Sequence, residues 1–309
     1  STLSDANEKR DWRIYRDFAQ VLIQKARALY CDDTQFNIDL NGTFYVIDAT
    51  IIELCLSIFK WAPFITTHAA VKLHLLMDVK GNIPTFFSIT SGKVNDINFL
   101  DDITWEGGAY YVMDRGYVDY GRLYTIHQSG AFFVTRARKN TVFKRLYSSK
   151  VDTSTGLRCD QIIRLNGTGA AQRYPDTLRR IKYFNKETET TYVYLTNDCN
   201  IEAITITQMY KHRWQIELFF KWIKQHLKIK AFWGHSSNAV KTQICIAICA
   251  YLIVAIIKKK LNSERNLYEI LQILSVSLFD KKRLNKLFSE DGLQNFYGVA
   301  QKQACLWDY

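Results

Sequence analysis

The sequence predicts an α/β fold in which a mixed sheet is flanked by helices and carries a β-rich insertion. Runs of β-branched and aromatic residues bounded by turn residues predict the strands, as in TFYVIDATIIEL after the turn Asn41-Gly42. Other stretches repeat their apolar residues every three or four positions, which predicts helices. The 309 residues are 48% hydrophobic, so the chain can bury a sizeable core.

The beginning of the chain predicts a helical segment followed by strands. Residues 1–40 are expected to be helical because apolar residues recur at helical spacing in DWRIYRDFAQVLIQ. This segment starts at Ser1 without a methionine, and we expect it to be truncated. After the TFYVIDATIIEL strand, VKLHLLMDV and IPTFFSIT predict a hairpin over residues 71–90, and a short helix follows at about 96–103.

The next elements complete the first part of a core, which we expect to cover residues 41–136. AYYVMDRGY predicts a fourth strand that ends at Arg115-Gly116. A helix is predicted over about 117–128, and AFFVTRAR predicts a fifth strand. The predicted order is therefore three strands, a helix, a strand, a helix and a strand.

Residues 137–190 differ in character and are interpreted as a β-rich basic insertion. They are polar, with strand-like stretches around 142–147, 157–165 and 179–184. Between residues 131 and 195 there are 13 lysines and arginines against 5 aspartates and glutamates, a net charge of +8. This charge favours contact with a polyanion, although a solvated appendage is the alternative.

Residues 191–260 are expected to form the second part of the core, with TYVYLTN as a strand and two long helices over about 201–229 and about 238–260. The apolar run ICIAICAYLIVAII in the second helix has 14 residues, fewer than the roughly 18 that a membrane span needs. We interpret it as a buried core helix. Residues 261–309 predict a C-terminal helical region.

The composition constrains the class of partner. Lysine and arginine number 41 and aspartate and glutamate 30, which gives a formal charge of +11 and a pI near 9.2. This excess favours a polyanion such as nucleic acid or an acidic membrane, with an ordinary basic protein as an equally weighted alternative. The seven cysteines include no C-x-x-C pair, so neither a zinc site nor a disulfide framework is indicated, and a reducing cytoplasm fits best.

Two aspartates lie inside otherwise apolar strands, Asp48 in FYVIDATII and Asp114 in AYYVMDRGY. A buried carboxylate is costly unless it is paired or binds a metal. Each aspartate could instead end its strand at the solvent or pair with a neighbour such as Arg115. For either residue considered alone, this simpler interpretation is favoured.

The helix predicted over about 201–229 carries its polar residues on one stripe. At about 100° per residue the stripe is about 80° wide. It consists of Tyr210, Arg213, Glu217, Lys221, Lys224 and Lys228. Ion pairs at i, i+4, of Arg213 with Glu217 and of Glu217 with Lys221, would explain the charges, but neither the tyrosine nor the single acid among four cations. Cations around one carboxylate instead suit a phosphate backbone at a metal-bound reaction centre.

These residues carry a resemblance to a known family. The spacing Y-x2-R-x3-E-x6-K is formed by Tyr210, Arg213, Glu217 and Lys224. It resembles the YREK signature of bacterial insertion-sequence transposases of the DDE class. D-A-T at Asp48 and D-R-G-Y at Asp114 resemble the regions that hold the family's other two acids, and T-S-G-K-V-N-D over residues 90–96 resembles a further family stretch without an assigned role.

The resemblance implies a ribonuclease-H-like core, with the first and fourth strands side by side and an insertion between the fifth strand and the helix of the catalytic glutamate. It implies that Asp48, Asp114 and Glu217 are the catalytic and metal-binding residues. The stripe residues Tyr210, Arg213, Lys224, Lys221 and Lys228 would then bind DNA. Oxygen-only ligands suit Mg²⁺ or Mn²⁺, and three carboxylates can hold two such ions.

The resemblance also implies the partners and the reaction. These are double-stranded DNA, both as terminal repeats of a mobile element and as target DNA, and a second copy of the chain, giving a homodimer on paired ends in the bacterial cytoplasm. The implied cycle is strand nicking, a hairpin intermediate, its opening and joining to target DNA. Some relatives stack a flipped base on a tryptophan of the insertion. No tryptophan lies between Trp105 and Trp214 here, so the hairpin step would depend on Phe143 or Tyr147.

Other functions stay open at this point. A ribonuclease-H-fold nuclease could cut DNA without strand transfer. A domesticated DNA-binding protein could keep the fold without the chemistry, although the presence of all three acids argues against it. A basic membrane-surface protein is disfavoured because the cations do not lie on a helix with a free apolar face.

Overall fold

A computed structural model describes residues 2–32, 42–65, 68–227, 229, 232–277 and 287–288, without the side chains of Leu3 and Thr168. The expected turn residue Asn41 and most of the expected C-terminal region after Ser277 lie outside this part of the chain. The chain divides into two compact units, Ser1–Cys249 and Ala250–Tyr309. All of the candidate site residues belong to the first unit.

The elements of the described residues follow the predicted order closely. The strands are β1 (Phe44–Leu54), β2 (Pro63–Ile65), β3 (His68–Asp78), β4 (Ile83–Ser91), β5 (Tyr110–Met113), β6 (Phe132–Arg136), β7 (Phe143–Ser149), β8 (Leu157–Leu165), β9 (Thr177–Asn185) and β10 (Thr190–Thr196). The helices are α1 (Thr2–Lys9), α2 (Arg13–Tyr30), α3 (Tyr120–Gln128), α4 (Thr168–Arg173), α5 (Ala203–His212), α6 (Trp214–His226), α7 (Ser237–Lys260) and α8 (Leu267–Ser277). Short 3₁₀ turns cover Lys80–Asn82, Asp96–Asp102, Arg115–Tyr117 and Thr153–Thr155.

Strand β1 occupies the centre of a mixed sheet. It pairs antiparallel with β3, which pairs antiparallel with β4, and it pairs parallel with β5, which pairs parallel with β6. The first and fourth predicted strands, β1 and β5, are thus neighbours, as the resemblance to ribonuclease-H-like proteins implied. The predicted mixed sheet flanked by helices is confirmed. The short strand β2 at the edge of β3 was not predicted.

The strands of the basic insertion continue the same sheet. Strand β10 pairs antiparallel with β6, and β9, β8 and β7 follow it in that order, each antiparallel to its neighbour. The three strand-like stretches of the insertion correspond to β7, β8 and β9. The insertion is therefore joined to the core by a continuous ladder of backbone hydrogen bonds, so its position relative to β5 and β6 is fixed.

Strand alternation sorts the side chains of β1 and β5 between the two faces of the sheet. Tyr45 and Ile47 face a hydrophobic core that also contains Leu123 of α3. Phe44 points to the other face, where its ring contacts His212 of α5. Even-numbered residues of β1 therefore face α5 and α6, and this face receives Asp48.

The long helix expected over about 201–229 is divided in two. Arg213 separates α5 from α6 while keeping right-handed helical angles, with φ −53° and ψ −30°. Its amide donates to the carbonyl of Tyr210, three residues back, and the amide of Ile216 donates to the carbonyl of Arg213. The helix is thus tightened into a 3₁₀ turn rather than unfolded, as often happens at functional positions.

Helix α7 covers nearly the predicted residues 238–260, but its apolar part is longer than the 14-residue run used to argue against a membrane span. An 18-residue window of Ser237–Lys260 has a mean hydropathy of 2.2, so by length and composition the helix could cross a membrane. However, 67% of that window is buried inside the protein. This burial favours the predicted core helix.

Asp78, at the end of β3, leads to a prediction about stability. Burial raises the pKa of Asp78 to about 6, and its contact with Arg27 only partly opposes this shift. Because the pKa is higher in the folded protein than in the unfolded chain, stability falls as the pH rises from about 4 to about 6 and then stays constant. We expect Asp78→Asn to remove this fall, about 2 to 3 kcal/mol, so that the variant gains on the wild type as the pH rises.

Urea denaturation of both proteins at about pH 4 and about pH 7 measures this difference. Asp101→Asn is the control at an exposed carboxyl group, whose pKa is lowered by Arg122. A lowered pKa changes stability only as the pH falls below about 4, so the gap between this variant and the wild type should stay nearly constant between about pH 4 and about pH 7. A pH-independent gap between Asp78→Asn and the wild type would contradict the prediction.

Candidate active site

Parallel pairing of β1 with β5 brings the two strand aspartates together. Ile47 lies opposite Met113 in this ladder. The next residue on each strand is Asp48 and Asp114, so the two carboxylates emerge side by side on the face covered by α5 and α6. Asp114 ends β5 and precedes the 3₁₀ turn Arg115–Tyr117.

Asp48 is held by one backbone and one side-chain donor. Its Oδ1 accepts from the amide of Ala49 at 2.9 Å, and its Oδ2 accepts from Nη1 of Arg213 at 3.0 Å. Burial raises the pKa of Asp48 to about 6, opposed by these two donors and reinforced by the nearby carboxylates of Glu217 and Asp114. The site therefore favours a cation beside this carboxyl group.

Asp114 has a different set of partners. Its Oδ1 accepts from Nη2 of Arg136 at 2.9 Å and from the hydroxyl of Tyr210 at 3.0 Å. Burial alone would raise the pKa of Asp114, but the amide of Arg115 together with Arg136 and Tyr210 keeps it below its ordinary value. Asp114 is thus stabilised as a carboxylate. The pairing with the Arg115 side chain, considered from the sequence, is replaced by one with Arg136.

Arg136 is a site residue that the sequence interpretation missed. Its guanidinium also lies over the ring of Tyr210, 5.7 Å from the centroid. The alternation of side chains along β6 could have revealed it. Phe133 faces the core below α3, so the even-numbered residues of β6, including Arg136, face α5. Reading that signal requires knowing that β6 is the neighbour of β5.

Arg213 joins the first aspartate to the glutamate. Its Nη1 donates to Asp48 and its Nη2 donates to Oε1 of Glu217, one helical turn further along. The arginine side chain is 17% exposed, against 21% for Asp48 and 34% for Glu217. The three residues predicted to be catalytic therefore meet around two arginines, with Arg213 between Asp48 and Glu217 and Arg136 on Asp114.

The predicted lysines differ in their positions. Nζ of Lys224 donates to Oγ1 of Thr50 at 2.6 Å and to the carbonyl of Ile51 at 2.8 Å, which ties α6 to β1 beside Asp48. Lys221 is exposed on α6, one turn beyond Glu217. Lys228 lies outside the described residues.

The donor set fits a hard divalent cation, but the arginines occupy it in this geometry. Three carboxylates supply only oxygen ligands, as Mg²⁺ and Mn²⁺ prefer. Within the described residues, no group of three or more acids, histidines or cysteines is placed to hold a metal. Arg213 donates to both Asp48 and Glu217, so these two carboxylates are assembled around a guanidinium.

A basic pocket adjoins Asp114 at the junction of β6 and β10. The cavity of about 260 Å³ is lined on one side by Arg115, Arg136, Arg138 and Lys139, and elsewhere by Phe143, Arg180 and Tyr192. A second, open concavity shares Arg115, Arg138 and Lys139 and includes Asp114 itself. The arginines and lysines beside Asp114 therefore form a positively charged surface that extends into the insertion.

The two aromatic candidates of the insertion are placed differently. Phe143 lines the basic pocket and carries the guanidinium of Arg180 over its ring at 5.0 Å. Tyr147 is 63% exposed on β7 and does not line the pocket. Of the two, only Phe143 lines the pocket that also contains Arg115 and Arg136, the neighbours of Asp114.

Comparison with known proteins places these residues in a family context. The model of the transposase DDE domain matches residues 40–253, a range that contains Asp48, Asp114 and Glu217. A Sinorhizobium fredii protein named as a transposase, y4zB, is 33% identical over 258 residues, covering 82% of this chain and 70% of that protein. A Geobacillus stearothermophilus protein, named as the probable transposase for insertion sequence element IS5377, is 26% identical and covers 82% of this chain and 66% of its own.

Among solved structures, the cryo-EM structure of the piggyBac transposase synaptic complex with hairpin DNA is similar to this chain with a TM-score of 0.48 and 12% identity. The similarity covers 82% of this chain and 56% of that one.

Proposed function

This chain belongs to the family of proteins with a transposase DDE domain and is a DNA transposase, and from this premise we propose that Asp48, Asp114 and Glu217 are its catalytic residues. The observation that carries the proposal is the meeting of these three carboxylates, one within β1, one directly after β5 and one on α6. Asp48 and Glu217 share Arg213, and Asp114 lies beside Asp48 in the strand register.

The family depends on divalent metal ions, and we propose that the three carboxylates hold Mg²⁺ or Mn²⁺. When bound, such ions activate the attacking oxygen and stabilise the leaving oxygen of a phosphodiester. The protein's own contribution is the arrangement of the ligands. Asp48 is fixed by the amide of Ala49, and Asp114 is kept ionised by Arg136 and Tyr210.

We propose that Tyr210, Arg213 and Lys224 bind DNA phosphates next to the reacting bond. All three side chains lie on the face of α5 and α6 that meets β1 and β5, so a strand bound there would lie across the carboxylates. Exposed Lys221 would extend this contact along α6. Lys228, on the same predicted stripe, is proposed from the sequence alone.

The DNA partner is proposed to be the terminal repeats of the mobile element and then its target, bound by a homodimer in the bacterial cytoplasm. The proposed cycle is nicking, formation and opening of a hairpin, and joining. Phe143 is the aromatic residue available to stack a flipped base in that cycle, because it lines the pocket beside Asp114. We also propose that residues 40, 136, 190 and 260 end the N-terminal segment, the first part of the core, the insertion and the second part of the core, respectively.

The basic pocket leads to a prediction about DNA binding. Each lysine or arginine that neutralises a phosphate lowers the slope of log affinity against log salt by about 0.9. Replacing both Arg138 and Lys139 by glutamine should therefore make the slope about 1.8 units shallower. Fluorescence anisotropy with labelled DNA across salt concentrations, in Ca²⁺ or without metal, measures it.

The matched control is the double variant Lys150→Gln, Lys186→Gln. These two lysines also belong to the insertion but do not line the pocket. The control should retain a slope near that of the wild type. Equal loss of slope in both double variants would mean that the insertion contributes only diffuse charge and that the pocket is not a phosphate contact.

The function is tested with DNA that carries the terminal repeat of the element, taken from the genomic flanks. Full-length protein is incubated with this DNA and Mg²⁺ or Mn²⁺, and the products are separated on a denaturing gel. Nicks at the repeat boundary together with joined products are expected. Nicks without joined products would favour a nuclease that does not transpose, and binding without metal-dependent cleavage would favour a domesticated DNA-binding protein.

A further inference from the structure

Arg213 is held in an unusual place for a DNA-binding cation. Its two terminal nitrogens donate to two different carboxylates, Asp48 and Glu217, instead of forming a fork with one. Asp48 and Glu217 are two of the three proposed metal ligands. Arg213 also lies at the point where the helix tightens between α5 and α6, so the backbone fixes where the guanidinium can reach.

The surroundings of Arg213 indicate that it is the counter-ion of the neighbouring carboxylates. Asp48 is buried next to Glu217 and Asp114, and three such carboxylates repel one another in the absence of a cation. One guanidinium shared by two of them relieves part of that repulsion. The Nε atom of Arg213 is buried and has no hydrogen-bond partner among the described residues, so the arginine is not fully satisfied in this position.

We propose that Arg213 is the resident cation of the metal site. In the metal-free protein it holds Asp48 and Glu217 together, and it must release both when a divalent ion binds to them. The inference rests on the proposed assignment of Asp48 and Glu217 as metal ligands. It assigns Arg213 two successive partners, first the carboxylates and then a DNA phosphate.

The consequence is a competition that can be measured without DNA cleavage. Metal binding to the wild type must break the contacts of Arg213, and the net contribution of even one charge-assisted hydrogen bond corresponds to about a tenfold change in affinity. Arg213→Lys keeps the positive charge but lacks the planar fork that reaches both carboxylates. If Arg213 acts by bridging the two carboxylates, Arg213→Lys should differ from the wild type in its affinity for Mn²⁺. If only the positive charge matters, the two proteins should bind Mn²⁺ equally.

The experiment titrates Mn²⁺ alone into the wild-type protein, Arg213→Lys and Arg213→Gln, with free Mn²⁺ followed by electron paramagnetic resonance. We expect both variants to bind Mn²⁺ about tenfold more tightly than the wild type. Lys211→Gln is the matched control, because it removes an exposed charge two residues from Arg213 and outside the proposed DNA-binding stripe, and it should bind Mn²⁺ as the wild type does. Asp48→Asn identifies the site, since it should weaken Mn²⁺ binding.

A second readout is thermal stability. Without metal, Arg213→Lys should melt at a lower temperature than the wild type because two carboxylates lose their shared partner. Added Mn²⁺ should close that gap, since a ligand stabilises the protein that binds it more tightly by a larger amount. The melting curves also establish that each variant is folded.

The outcomes distinguish the inference from its premise. If Mn²⁺ binding is lost in Asp48→Asn but Arg213→Lys binds like the wild type, the metal site stands and Arg213 is not its resident cation. If Lys211→Gln gains affinity as much as Arg213→Gln, the effect is one of charge alone and the inference is overturned. If Asp48→Asn binds Mn²⁺ like the wild type, both the proposed ligands and the role of Arg213 are wrong.

Discussion

Asp48→Asn is expected to lower the rate of DNA cleavage by about a thousandfold or more, with DNA binding largely retained. The substitution keeps the size and shape of the side chain but removes the charge that would bind the metal. Metal ions at such sites contribute several kcal/mol to stabilising the transition state, and about 1.4 kcal/mol corresponds to a factor of ten in rate. Single-turnover cleavage of a terminal-repeat DNA in Mg²⁺ measures this loss, and anisotropy measures binding.

Asp78→Asn provides a closely matched control. Asp78 is also a strand aspartate, its pKa is also raised to about 6 by burial, and it also lies beside an arginine, with 3.6 Å between Oδ2 and Nε of Arg27. It pairs with Tyr45 across the β1–β3 ladder and therefore lies on the opposite face of the sheet from Asp48. We expect this variant to cleave DNA at nearly the wild-type rate.

The two variants together distinguish the loss of a metal ligand from the loss of a buried acid elsewhere in the sheet. If Asp78→Asn were as inactive as Asp48→Asn, the loss would reflect disturbance of a buried acid rather than removal of a metal ligand. If Asp48→Asn cleaved DNA within a few-fold of the wild type, Asp48 would not be catalytic.

The sequence contained enough to single out the three carboxylates that meet in the structure. Asp48 and Asp114 stand out because a charge inside an apolar strand is rare, and Glu217 stands out because it is the single acid among four cations on its helical stripe. The parallel pairing of β1 with β5 then brings the two aspartates together. The prediction combined local sequence patterns with one rule of topology. The structure has the expected strand pairing because a buried strand tolerates few alternative registers.

The partners of these acids could not be predicted in the same way. Arg136 is one of many cations in a basic stretch, and only the pairing of β6 with β5 brings it to Asp114. The contact of Arg213 with Glu217 follows from i, i+4 helical spacing and was considered from the sequence, whereas its contact with Asp48 depends on the packing of the helix against β1. The continuity of the insertion with the core sheet depends on β10 pairing with both β6 and β9, a long-range choice that no local pattern specifies.

The insertion is also fixed by a buried ion pair, and Asp160→Ala is expected to destabilise the protein by about 3 to 5 kcal/mol. Arg179 of β9 donates from Nε and Nη2 to the two carboxylate oxygens of Asp160 on β8, both at 2.8 Å. The side chains are only 7% and 11% exposed. Removing the acid would leave a guanidinium buried without its counter-charge, which costs far more than an intact pair contributes.

The same arginine connects the insertion to the segment that precedes α5. Its Nη1 donates to the carbonyl of Ile201, just before α5, while Asp198 accepts from the hydroxyl of Tyr110 on β5. Loss of the Arg179–Asp160 pair is therefore expected to loosen the approach to α5 as well as the strands. Urea denaturation of the wild type and Asp160→Ala gives the difference in the free energy of unfolding.

Asp101→Ala is the matched control, because burial is the main property that differs. Arg122 also binds Asp101 through two hydrogen bonds, from Nε at 2.7 Å and from Nη2 at 2.6 Å, but the two side chains are 28% and 56% exposed. Exposed pairs of this kind contribute less than about 1 kcal/mol. A large loss in Asp160→Ala with a small loss in Asp101→Ala would establish that the buried pair anchors the insertion. Equal small losses would mean that the backbone ladder from β6 to β7 holds the insertion without it.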